Sequence, residues 1–177
     1  MSTSPFRLLI PAALTLALVG CAADTPEEPA PPFASETEAF AAAEATYRAY
    51  VDALNQVDLS DPETFEAVYA WTTGDTLAEA KRSLTQMHAD DWEVRGRSIP
   101  TTIVRSDHPD VAAASQALAV CLDVSSVELE NAEGESMVAL DRMDVQQMLV
   151  TLERDDSAPI GLKVASVRGR DGSPECD

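Results

Sequence analysis

The apolar residues of this chain change their period at Trp92, and that change limits the folds open to it. Before it, Phe40, Ala43, Tyr47, Val51 and Leu54 recur every three or four residues, which places them on one helical face. Ser35 followed by Glu38 predicts the helix start through a capping box, and the pattern runs to about Gln56. Asp61-Pro62 restarts a helix with Phe65, Val68 and Tyr69 on its apolar side, and Gly74 is expected to stop it. A third helix, capped at Asp75 or Thr76, carries Leu77, Ala80, Leu84 and Met87 and fades near Ala89.

After Trp92 the period is two. Trp92, Val94, Ile99 and Ile103 predict one strand broken around Pro100. Residues 115–130 place Leu118, Val120, Leu122 and Val124 on one face and the small Ala117, Ala119 and Cys121 on the other, a pattern suited to burial on both sides. Asn131-Ala132-Glu133-Gly134 reads as a hairpin turn, and further strands are expected over 142–154 and 160–168. Helices first, then strands joined by turns, means α+β: three N-terminal helices packed on an antiparallel sheet of about four strands.

The N-terminal region carries an address. An apolar run from Leu8 ends in Leu18-Val19-Gly20-Cys21. It is too short to cross about 30 Å of hydrocarbon, Pro11 interrupts it, and the residues after it are polar and proline-rich. Small residues at the end of such a run mark where a secretory leader is cut. With Leu at −3, Gly at −1 and Cys at +1, the segment resembles the lipobox of bacterial lipoproteins. That resemblance implies a leader over 1–20, a Cys21 carrying palmitate-type acyl chains on its sulfur, and attachment to the outer face of the cell membrane. Each buried CH₂ would contribute about 0.8 kcal/mol. A signal peptide without lipid is the rival, since Arg7 alone supplies the leader's positive charge. Residues 21–33, with Pro26, Pro29, Pro31 and Pro32, would form an extended tether of about 3.1 Å per residue. Residues 34–177 would be one domain.

With Cys21 assigned to the anchor, Cys121 and Cys176 remain. An oxidising compartment favours their pairing, which would pin a polar C-terminal tail; two separate thiols are the alternative. The 31 acidic against 12 basic residues give a net charge of −19, which argues against nucleic acid or anionic head groups as partners.

Three helices ahead of a curved antiparallel sheet is the element order of the nuclear transport factor 2-like superfamily. The segment Ala45-Thr46-Tyr47-Arg48-Ala49-Tyr50, Trp92, and the strands around Cys121 and Val164 resemble stalked envelope lipoproteins of high-GC Gram-positive bacteria with that cone-shaped fold. The superfamily holds isomerases, dehydratases, polyketide cyclases, transport adaptors and accessory domains, so the fold does not choose an activity.

Its enzymes need a titratable group in a dry pocket. Here the histidines are His88 and His108. His88, at the end of the third helix and ahead of Asp90 and Asp91, is the candidate general base. A histidine there also suits the negative end of the helix dipole. His108 falls in a loop. Tyr47, Tyr50 and Trp71 are candidates to floor a ligand pocket, or to pack helices on the sheet. Asp141 and Asp144 flank Arg142 as a possible carboxylate couple or a solvated edge. Asp58-Ser60-Asp61 and Asp155-Asp156 lack the spacing of a calcium loop, and no phosphate loop, zinc motif or nucleophile elbow occurs. No metal or cofactor is expected. The reading is a non-catalytic binding or scaffolding domain of the cell envelope, partnered by the membrane through its anchor and by an envelope protein. The alternatives are a dehydratase or isomerase using His88, or a pocket protein that sequesters a small apolar ligand.

Overall fold

Ser35 opens the first helix, α1 (Glu36–Leu54), with its side chain accepting the Glu38 N–H at 3.1 Å. Glu38 reaches back as expected, but to the Ala34 N–H, one residue before the cap. The computed structural model describes residues 33–108 and 115–176. The predicted leader, Cys21 and the tether up to Pro32 lie outside the described residues.

The buried face of α1 is Ala39, Ala42, Ala43, Thr46, Tyr47, Val51 and Ala53. Its small side chains let the helix lie close to the sheet, and the buried Thr46 hydroxyl is satisfied by the Ala42 carbonyl at 2.8 Å. Asp61 caps a 3₁₀ turn (Pro62–Thr64) that leads into α2 (Phe65–Ala70). Gly74 does not stop α2. It is the first residue of α3 (Gly74–Ala89), and Thr73 holds the cap position rather than Asp75 or Thr76. The reason is tertiary: the Thr73 N–H donates to the Val164 carbonyl at 2.9 Å and the Val164 N–H to the Trp71 carbonyl at 2.9 Å. This stitches the α2–α3 connection to the last strand. At φ 53° Gly74 would bring a Cβ within 3.3 Å of the Ala165 carbonyl, so glycine serves a close approach there.

The strands are β1 (Glu93–Arg95), β2 (Ile99–Arg105), β3 (Gln116–Asp123), β4 (Glu128–Glu130), β5 (Val145–Arg154) and β6 (Leu162–Gly169). One antiparallel sheet has the order β2-β3-β5-β6, and a two-stranded sheet pairs β1 with β4. The single strand expected from Trp92 to Ile103 is therefore two strands in different sheets. They separate at Gly96 rather than Pro100, because the Gly96 Cα lies so close to the Ser126 carbonyl that a Cβ would overlap it. Pro100 stays inside β2, followed by an irregularity before Thr102, and the Thr101 hydroxyl donates to the Cys121 carbonyl at 3.2 Å. The stretch 115–130 likewise divides, at a turn in which the Val127 N–H donates to the Val124 carbonyl. The 131–134 turn is present, closed by Gly134 N–H to the Asn131 carbonyl.

The result is three helices on a curved, four-stranded antiparallel sheet, the α+β architecture expected from the order of the elements. As its pattern predicts, β3 is buried on both faces from Ala117 to Cys121. The main core joins Ala43, Tyr47 and Val51 of α1 to Leu118, Val120, Val150, Leu152, Leu162 and Val164. A second cluster, Leu59, Phe65, Val68, Ala80 and Leu84, packs with half-buried Trp71, Met87, Trp92, Val94 and Leu129. Cys121 and Cys176 form a disulfide with Cα atoms 5.5 Å apart.

Candidate functional site

A half-open cleft of about 830 Å³ lies where the end of α1 and the length of α3 meet β5 and β6. Its apolar wall includes Tyr50, Leu54, Leu84, Met87 and Val167; its polar wall includes Asp75, Thr76, Glu79, Glu153 and Arg168. Helical spacing places Asp75, Glu79 and Ser83 along one flank of α3. That volume lies within the usual range of small-molecule sites.

The three aromatic candidates separate. Tyr50 lines the cleft, and burial pushes its phenol up to about 12. Tyr47, one turn earlier, is 1% exposed within the main core. Its ring centre is 6.0 Å from that of Tyr50. Burial first, and the neighbouring Tyr50 second, raise its phenol further still. Trp71 caps the C-terminal end of α2 and packs in the second cluster, away from the wall of the cleft.

His88 sits elsewhere, on a separate cleft of about 600 Å³ lined also by Asp58, Asp91, Trp92 and Glu93. Its Nδ1 donates to the Leu59 carbonyl at 2.7 Å, and its ring meets Phe65 edge to face. That hydrogen bond ties the end of α3 to the loop after α1, and it fixes the imidazole by a main-chain carbonyl rather than a carboxylate. His108 follows β2 in a loop, as its sequence context predicts.

The acidic turns have local tasks. Asp58 accepts the N–H and hydroxyl of Ser60, which lowers its carboxyl below the ordinary value. Asp155 does the same with Ser157 and also pairs with Lys163 at 3.3 Å. Among the described residues, no three His, Cys, Asp or Glu side chains gather as metal ligands.

Two arginines that the sequence did not single out organise the surface. Arg142, between the Asp141 and Asp144 considered as a couple, donates through one guanidinium nitrogen to the Val124 and Val127 carbonyls at 3.0 and 3.1 Å. With Met137 N–H on the Leu129 carbonyl and Val124 N–H on the Asp144 carbonyl, this fixes the loop 136–144. The loop presents Met137 (42% exposed), Leu140 (107%) and Met143 (60%) to solvent. Arg170 donates to the Gly172 and Pro174 carbonyls, both at 2.6 Å, and reaches Cys176 Sγ at 3.7 Å. It thus folds the tail over the disulfide; burial lowers its guanidinium from the usual value. Neither role leaves a sequence signal, because both bond to main-chain carbonyls.

No protein-family model and no curated protein matches the sequence. Among solved structures, a Novosphingobium aromaticivorans protein provisionally named an aromatic ring hydroxylase aligns with a TM-score of 0.51 at 12% identity. The alignment covers 77% of this chain and 96% of that one. CagV, a VirB8 homolog of the T4SS from Helicobacter pylori, aligns at 0.46 and 11% identity over 75% and 99% of the two chains. VirB8 of Agrobacterium tumefaciens gives 0.42 and 12% over 80% and 97%. At 12% identity the likeness to the Novosphingobium protein is one of fold, which agrees with the α+β reading and leaves the activity open.

Proposed function

We propose that this protein is exported, cut before Cys21, and held by acyl chains on that sulfur, displaying residues 34–177 outside the cell membrane as a non-catalytic binding domain. The observation that carries the binding role is the ordered loop 136–144. Covering apolar side chains as exposed as Leu140 and Met143 is favourable, and Arg142 holds their loop in a fixed presentation. A preformed loop loses less conformational entropy on docking. Glu133, Glu135, Asp141 and Asp144 surround the apolar tip in sequence, so the fitting surface is an apolar recess with a basic rim on an envelope protein. The Cys121–Cys176 bridge supports an oxidising location. No helix among the described residues is long and apolar enough to cross a membrane. The hydrogen bond from His88 to Leu59 supports a structural task for that residue over a catalytic one.

Photo-crosslinking in the native envelope tests the docking role. A photoreactive residue at position 140 should give a discrete protein adduct that Met143→Asp abolishes, while the same probe at the exposed Ile99 gives none. Equal labelling at 140 and 99 would remove the loop's special status. For the anchor, Cys21→Ala should abolish metabolic labelling with a palmitate analogue; retained labelling refutes it.

A further inference from the structure

We infer that the cleft between α3 and the β5–β6 edge is a binding site for a primary amine carried on an apolar body. Three observations converge on that chemistry, and none depends on the docking loop.

First, the charge on the wall is unbalanced. Asp75, Glu79 and Glu153 line it against Arg168, and Arg168 already has a partner of its own. Glu79 already pairs with Arg82, which leaves Asp75 and Glu153 as the carboxylates for an incoming cation. Second, much of the remaining lining is apolar and aromatic. Leu54, Leu84, Met87 and Val167 suit a hydrocarbon body, and the Tyr50 ring suits a cation passing over its face. Third, Thr76 lines the cleft, is 8% exposed, and its hydroxyl oxygen has no hydrogen-bond partner among the described residues. A buried hydroxyl without a partner is unfavourable. The oxygen is itself covered, so it meets an incoming N–H by rotation about the Cα–Cβ bond toward the cleft. A neutral apolar ligand would use the second observation alone, and an anion would oppose the first.

Titration of the full chain with 4-phenylbutylammonium, followed by calorimetry and amide NMR shifts, tests this. The ammonium should bind with a dissociation constant below about 1 mM and move the amides of Tyr50 and Ser83. Its neutral alcohol and a phenylalkanoate of matched length should bind about tenfold more weakly or not at all. The trimethylammonium analogue, which has no N–H, should also bind more weakly. Asp75→Asn with Glu153→Gln should weaken the ammonium about tenfold, whereas Glu133→Gln with Glu135→Gln on the distant hairpin should change it less than about twofold. Thr76→Val, which keeps the side-chain shape, should weaken it about threefold with the fold intact by circular dichroism. Alcohol binding as tight as the ammonium overturns the proposal. So does equal weakening by the two acidic pairs, which would reduce it to general attraction by an acidic surface, or no binding at about 10 mM probe.

Discussion

The two packed clusters of this domain are built from similar residues but covered differently. The α1–sheet core is sealed: Tyr47, Leu118, Val120, Val150, Leu152 and Val164 are each 1% exposed or less. The α2–α3 cluster is rimmed by half-buried Trp71, Met87, Trp92 and Val94, and the clefts open along its edge. A covered core fixes the shape, whereas a partly covered one leaves side chains available to a ligand. Stability and recognition are thus divided between the two sides of one small fold.

The largest effect should come from the staple on the sealed side. The bridge joins residues 55 apart, and chain-entropy reasoning gives about 4 kcal/mol for a loop of that length. Cys121→Ala with Cys176→Ala should lower the unfolding free energy by about that amount. Hydrogen exchange should rise first at 170–176 rather than at β1 and β4. A loss under about 1 kcal/mol would show that Arg170 and the core hold the tail without the bridge.

Next, one truncation on each side measures the contrast directly. Leu152→Ala, in the sealed core, should cost about 3–4 kcal/mol by denaturant midpoint. Leu84→Ala, beside the cleft, should cost about 2 kcal/mol, because fewer neighbours surround it and its methyl groups already border an opening. Equal losses would erase the distinction between the two clusters.

The smallest effect is a titration. Tyr69 is half-buried on α2 with Lys81 5.4 Å from its ring centre, and burial raises its phenol; Tyr47 and Tyr50 are packed more deeply and held neutral by burial. Phenolate absorbance should therefore appear first from Tyr69, with Tyr50 following only near about 12. A folded-state pKa above the unfolded value of 10.0 gives stability that is complete below about pH 10 and lost as pH rises through the folded value. Simultaneous ionisation of all three at lower pH would mean that the α1 end is wetter than its packing implies.

Much of the fold was legible because it rests on local rules. Ser35 and Glu38 mark a cap, Asp61-Pro62 a restart, and the small–large alternation of Ala117 to Leu122 a strand covered on both faces. What misled was set by contacts distant in sequence. Gly74 has the look of a helix stop, yet it opens α3 because β6 passes beneath it. The apolar alternation runs through Val124 to Leu129, yet the strand ends where the Asp144 carbonyl takes the Val124 N–H. The cleft was less legible. Tyr50 was reachable from its aromatic character, but nothing local shows that Thr76 lacks a partner or that Leu140 is left uncovered.

Both margins of the main sheet are interrupted. On β2, Pro100 removes a donor and the irregularity after it interrupts the ladder. Along β6, main-chain groups of Trp71 and Thr73 already bind those of Val164. A neighbouring copy would meet an interrupted row of amides at these two places, one device by which sheet edges resist fibre-like association. Association of such domains is thereby steered toward side chains, where single substitutions edit it most easily.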